Sequence, residues 1–201
     1  EDGSEVRENL NIHRFDISTN GRTQYTGSGR VTGSVLGQFA LDEHEGTVRV
    51  ATTHGRWNRW WEQNPPESEN WLYTLQGNNK LVEKGSVGPM AVGERIWASR
   101  FTDDTAYLVT FRNIDPLYTI DVREAENPRV LGELPIPGVS TYIHPLEDDR
   151  LLTIGYAGDD EGLFWGETQL SLFDVANLED PQLSDTLGLT PVNGSNDDGW
   201  M

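Results

Sequence analysis

The sequence predicts an all-β chain built from repeats of four short antiparallel strands. Three observations carry that reading. Convincing amphipathic helices are scarce; short apolar alternation punctuated by Gly, Pro, Asn and Asp takes their place. One strand motif recurs, as LYTIDV (117–122), LSLFDV (170–175) and, more loosely, LYTLQG (72–77), with HRFDIS (13–18) a fourth and weaker copy. The strands flanking the motif repeat with it, at a period of about 45 to 60 residues, the mark of a β-propeller blade. A single blade cannot cover both of its faces, so neighbouring blades must stack.

The strands of a blade are labelled a to d in chain order. Residues 11–33 supply a half blade of strands c and d, HRFDIS and QYTGSGRVTG (24–33). Residues 34–90 form the next blade, with DEHEG (42–46) as its a–b turn, VRVATT (48–53) as b, LYTLQG as c and KLVEKGSVG (80–88) as d. Residues 91–138 follow with RIWASRF (95–101), the turn TDDT (102–105), AYLVTF (106–111), LYTIDV and PRVLGELPIPG (128–138). Residues 139–190 close the series with STYIHPL (140–146), EDDR (147–150), LLTIGY (151–156), LSLFDV and PQLSDTLGL (181–189), leaving 191–201 as a tail. The fold class is thus an all-β partial β-propeller of four-stranded antiparallel blades, about three and a half of them. That number does not close a ring. Further blades in a longer protein would complete it, or the open edges would pair with another copy, two copies summing to seven blades. The start at Glu1 and the ending NGSNDDGWM favour a piece of a longer protein.

Composition narrows the partners. The net charge of −18 over 201 residues opposes nucleic acid, whose phosphates would be repelled over most of the surface. Lys80 and Lys84 are the only lysines, a bias that fits a GC-rich genome or a salt-rich habitat. Cysteine is absent, which removes disulfides, thiolate metal sites and a thiol nucleophile. No apolar run is long enough to span a bilayer. The motifs G-x-S-x-G, H-E-x-x-H, G-x-G-x-x-G and the P-loop are all missing.

FALDEHEGTVRVATTHG, FRNIDPLYTIDV, NPRVLGELPIPGVSTYIHP and LSLFDV together resemble the secreted β-propeller-domain proteins of bacteria and archaea, distant relatives of WD40 repeats. The resemblance runs from about residue 11 to 190 and is strongest over 39–53 and 106–146. It implies a secreted or envelope-associated propeller and a domain considerably longer than this chain. It carries no activity and no catalytic residue.

Strand order decides which loops share an end. The a–b turns carry Asp42, Glu43, Glu45, Asp103, Asp104, Glu147, Asp148 and Asp149, and the c–d turns Glu124, Glu126, Glu179 and Asp180. That end should be anionic, as a docking face for cations or a basic partner or because such residues suit tight turns. Asp16, Asp121 and Asp174 recur at the end of strand c, where a carboxylate caps the following turn. The b–c loops, 54–70, 112–116 and 157–168, lie at the opposite end, and two of them are long enough to carry function. In the first, Trp57, Trp60 and Trp61, with Arg56 and Arg59, read as a ligand platform, a protein-contact patch or packing over the blade edge; Trp71 begins strand c as core. Trp165 stands in the third loop, where Asp159, Asp160 and Glu161, with Glu167, offer oxygen ligands to calcium in a spacing unlike an EF-hand. His144 ends an innermost strand and faces the channel or serves as a structural histidine. The functional expectation is a non-enzymatic binding or scaffold module for a protein or cell-envelope polysaccharide, without a required cofactor. The alternative is a calcium-dependent propeller hydrolase or lyase.

Overall fold

The computed structural model describes residues 8–55, 67–111, 115–136, 138–158 and 165–189. Fifteen strands run through them. The first sheet holds β1 (Asn9–Asp16), β2 (Gln24–Thr32) and the short β6 (Asn79–Lys80). The second holds β3 (Leu41–His44), β4 (Thr47–His54), β5 (Glu69–Gln76) and β7 (Val82–Met90) in that order. The third runs β8 (Arg95–Phe101), β9 (Thr105–Phe111), β10 (Asp115–Asp121), β11 (Arg129–Ile136), and the fourth β12 (Val139–Leu146), β13 (Arg150–Gly158), β14 (Trp165–Asp174), β15 (Gln182–Leu189). Each four-stranded sheet is an antiparallel meander, the propeller-blade pattern the repeats predict.

The sheets stack face on face, with one apolar layer between each pair. Ile12 and Val31 meet Val48, Val50, Tyr73 and Leu75 between the first and second sheets. Ala51 and Leu72 meet Leu108, Tyr118 and Ile120 between the second and third. Val109 and Leu117 meet Ile143, Leu151 and Phe173 between the third and fourth. Alternation along β9 explains how one strand serves two layers: Ala106 and Leu108 point one way, Tyr107 and Val109 the other. Strands b and c of the middle sheets are therefore buried on both faces, which is why AYLVTF reads as an almost unbroken apolar run.

A repeated polar joint locks the layers. Thr74 in β5 donates to the carbonyl of Ala125, and Thr119 at the matching place in β10 donates to that of Leu178. Opposite each threonine stands a glycine, Gly85 or Gly132, where an added Cβ would lie 2.5 Å from the same carbonyl oxygen. Pro128 and Pro181 fill the rest of the joint. The c–d loop of each sheet is thus seated in a notch of the sheet before it. The first sheet uses a variant: Gly27 and Gly29 admit residues 79–81 so closely that β6 pairs with β2 in parallel, and Leu81 donates to the Ser28 carbonyl at 2.8 Å. In the fourth sheet Leu172 and Asp185 hold the corresponding places, and the notch is absent.

Three local expectations are corrected. DEHEG is mostly strand: Asp42 pairs across to Arg49, which binds its carboxylate, so the turn shrinks to Glu45 and Gly46, both at positive φ. The loops read as 112–116 and 157–168 shorten because pairing with β11 and β13 extends β10 back to Asp115 and β14 back to Trp165. Trp165 and Glu167 therefore belong to a strand, and not to a loop.

Candidate functional site

The a–b turns and c–d loops do share one end, since Val122 donates to the Asp104 carbonyl at 3.0 Å and Val175 to that of Asp149 at 2.8 Å. Asp16, Asp121 and Asp174 each cap the turn that follows, accepting from the amides of Ser18, Arg123 and Ala176 at 2.8, 3.1 and 3.0 Å. The end is less anionic than its acidic turns suggested. Asp121 is bound by Arg123 and Arg129 at 2.7 and 3.1 Å, and the hydrogen bonds from Arg123, then Arg129, hold its carboxyl well below the usual range. Arg49 is buried here too, donating to the Asp103 carbonyl at 2.7 Å. A cleft of about 390 Å³ opens between the third and fourth sheets, edged by Asp103, Asp104 and Asp149 and by Arg123 and Arg150. Among the described residues no group of three or more His, Asp or Glu could hold a metal ion.

The opposite end carries a different kind of site. A pocket of about 200 Å³ lies among the innermost strands, walled by 36–40, 97–99 and 141–143. Its lining is largely apolar, with Leu36, Phe39, Trp97 and Tyr142 as its large side chains. The walls are fixed from behind. The Arg100 guanidinium lies over the Phe39 ring at 4.2 Å and the Tyr142 ring at 5.3 Å, and donates to the Tyr142 hydroxyl at 2.9 Å and the Ile143 carbonyl at 3.0 Å. Phe39 meets Tyr142 edge-on at 5.6 Å, and Phe111, the last residue of β9, meets Trp97 edge-on at 5.5 Å. Both inner strands bulge here: the ladder skips Trp97 in β8 and Thr141 in β12. A bulge turns an extra residue out of the pleat, and these two aim side chains at the pocket.

Of the residues singled out in the sequence, Arg56, Trp57, Arg59, Trp60, Trp61, Asp159, Asp160 and Glu161 lie outside the described residues. The backbone of Trp165 opens β14 opposite Gly158, and Glu167 is exposed on that strand. Trp71 is half-buried in the first apolar layer as expected of core, its indole stacked on His54 at 5.7 Å and donating to Glu69 at 3.1 Å. His144 stacks on Tyr142 at 6.3 Å. The aromatic pocket escaped sequence reasoning because it depends on two bulges and on rings from three separate segments. The available signal was the placing of Trp97 and Tyr142 within strand a.

Stacked four-stranded antiparallel meanders define a protein of the β-propeller class. The chain belongs to the beta propeller domain family, whose match covers residues 2–194. It is 42% identical over 173 residues to an uncharacterized protein of Methanocaldococcus jannaschii, an alignment covering 86% of this chain and 24% of that one. It is 35% identical over 175 residues to an uncharacterized protein of Archaeoglobus fulgidus, covering 87% and 24%. The chain therefore spans about a quarter of the length of these relatives, 24% in each case.

Proposed function

We propose that this chain is the non-enzymatic binding part of a larger extracytoplasmic β-propeller, and that it holds a protein or polysaccharide ligand at the end where the b–c loops emerge. The observation that carries the reading is the aromatic pocket at that end. Its lining brings large rings and hydroxyls together, without a carboxylate or an imidazole among the lining residues. Such walls suit recognition of an apolar surface fixed by a few polar groups. Action outside the cytoplasm is supported by the resemblance to secreted propeller proteins.

The test is a titration of the purified chain with cell-envelope polysaccharides and solubilised envelope proteins, followed by tryptophan emission. A saturable shift supports the reading. Emission unmoved by the whole panel would count against it.

A further inference from the structure

The two end faces of the stack carry the residue pattern of interior faces. In the third sheet Val109, Leu117 and Leu134 stand side by side across strands b, c and d, and the fourth sheet covers them. The same places in the fourth sheet hold Ile154, Leu170 and Leu187. No described sheet covers that row, and Leu187 is 60% exposed. The first sheet shows the reverse face. Ile120 and Val122 in the third sheet, and Phe173 and Val175 in the fourth, are buried against the sheet before them. Phe15 and Ile17 hold these places in the first sheet, since a bulge immediately precedes Phe15, Ile120 and Phe173 alike. They are 53% and 77% exposed. One face lacks a following sheet, and the other lacks a preceding one.

The polar joint changes in step on both faces. Gly85 and Gly132 admit the c–d loop of the next sheet, and the fourth sheet carries Asp185 at that place. The c–d loops of the first, third and fourth sheets are equal in length, closed by the pairs Asp16–Gln24, Asp121–Arg129 and Asp174–Gln182. By that count Asn20 stands where Ala125 and Leu178 stand, and the exposed Arg22 follows in the same loop. A notch altered to a carboxylate thus matches a loop that offers an amide and a guanidinium.

We propose that the uncovered face of the fourth sheet receives the first sheet of a second copy of this chain, head to tail, with Asp185 facing Arg22 across the contact. The contact joins unlike surfaces and is heterologous. Burial of Leu187, Ile154, Phe15 and Ile17 drives it, and the ion pair fixes its register. It does not depend on what the pocket binds.

The experiment is sedimentation velocity of the chain over a range of concentrations, with variants on each face. Leu187→Lys closes the fourth face and Ile17→Lys the first; both side chains are exposed, so the fold should survive, and unchanged thermal midpoints in dilute solution check this. The unaltered chain should sediment as a dimer or larger species in a concentration-dependent way. Each variant alone should be monomeric. Their equimolar mixture should form heterodimers, because one intact face of each kind remains. Asp185→Arg should weaken association about tenfold, and adding Arg22→Asp should restore it to within about threefold. An unaltered chain that stays monomeric throughout would give the face to another occupant, such as a further sheet of a longer protein, and would overturn the proposal. Association that survives Ile17→Lys, or a mixture that stays monomeric, would overturn it as well.

Discussion

Asn70 has no exposed surface, and its side chain is the knot of the joint between the second and third sheets. Its amide donates to the carbonyls of Met90, Ala91 and Glu94 at 3.1, 3.3 and 3.3 Å, and its oxygen accepts from Thr53 at 2.8 Å. Thr53 in turn accepts from the Ile96 amide at 3.2 Å, which ties the start of β8 to β4. Asn70→Leu strands these groups in a dry layer and should cost about 3 kcal/mol, read as a lowered urea midpoint. Asp121 acts through charge. Its carboxyl is held below the ordinary range by the Arg123 and Arg129 hydrogen bonds, so its contribution is full above the unfolded value of about 4 and is lost as pH falls through the lower folded value. Asp121→Asn should cost about 1 kcal/mol at neutral pH, because both arginines are largely solvated, and should flatten the acid limb of the stability curve. At the alkaline end the sign reverses. Burial pushes the Tyr73 phenol up to about 12 and raises Tyr107 and Tyr118 as well, so stability should decline as pH rises above about 10, where the unfolded phenols ionise.

At the scale of elements, the notch of threonine and glycine accounts for how one sheet grips the next. Gly85→Ala and Gly132→Ala each place a methyl 2.5 Å from a backbone oxygen and should cost about 2 to 3 kcal/mol. Gly188→Ala is the control: the nearest atom to its Cβ position is a Glu167 carboxylate oxygen at 3.7 Å, and its thermal midpoint should barely move. Much of this level was legible in the sequence. The span RIWASRF is β8 to the residue, and the recurrent Thr of LYTIDV and LYTLQG marks the joint. The aspartate caps were readable because a carboxylate two residues before a turn amide is a local interaction. The short β6 was not readable, since it arises only when Gly27 and Gly29 let a distant loop approach. DEHEG misled because acidic residues favour turns in general, while Asp42 is held in its strand by an arginine across the ladder.

Taken whole, the molecule is three apolar layers between four sheets, with unlike ends and an uncovered last face. Ile154, Tyr156 and Leu187 are exposed on the fourth sheet, where the notch is replaced by Leu172 and Asp185. Leu187→Lys should therefore raise the solubility limit of the isolated chain without lowering its thermal midpoint. Acidic turns at one end could be counted from the sequence; the arginines that partly neutralise them, and the pocket at the other end, required the packed arrangement of the sheets. The central claim is that the chain binds at the pocket end and not at the acidic end. The direct measurement is capture of solubilised cell-envelope material on the immobilised chain, comparing Gly37→Leu at the pocket with Asp103→Arg among the acidic turns. The account predicts that capture is lost in Gly37→Leu and kept in Asp103→Arg; capture kept in the first and lost in the second would contradict it.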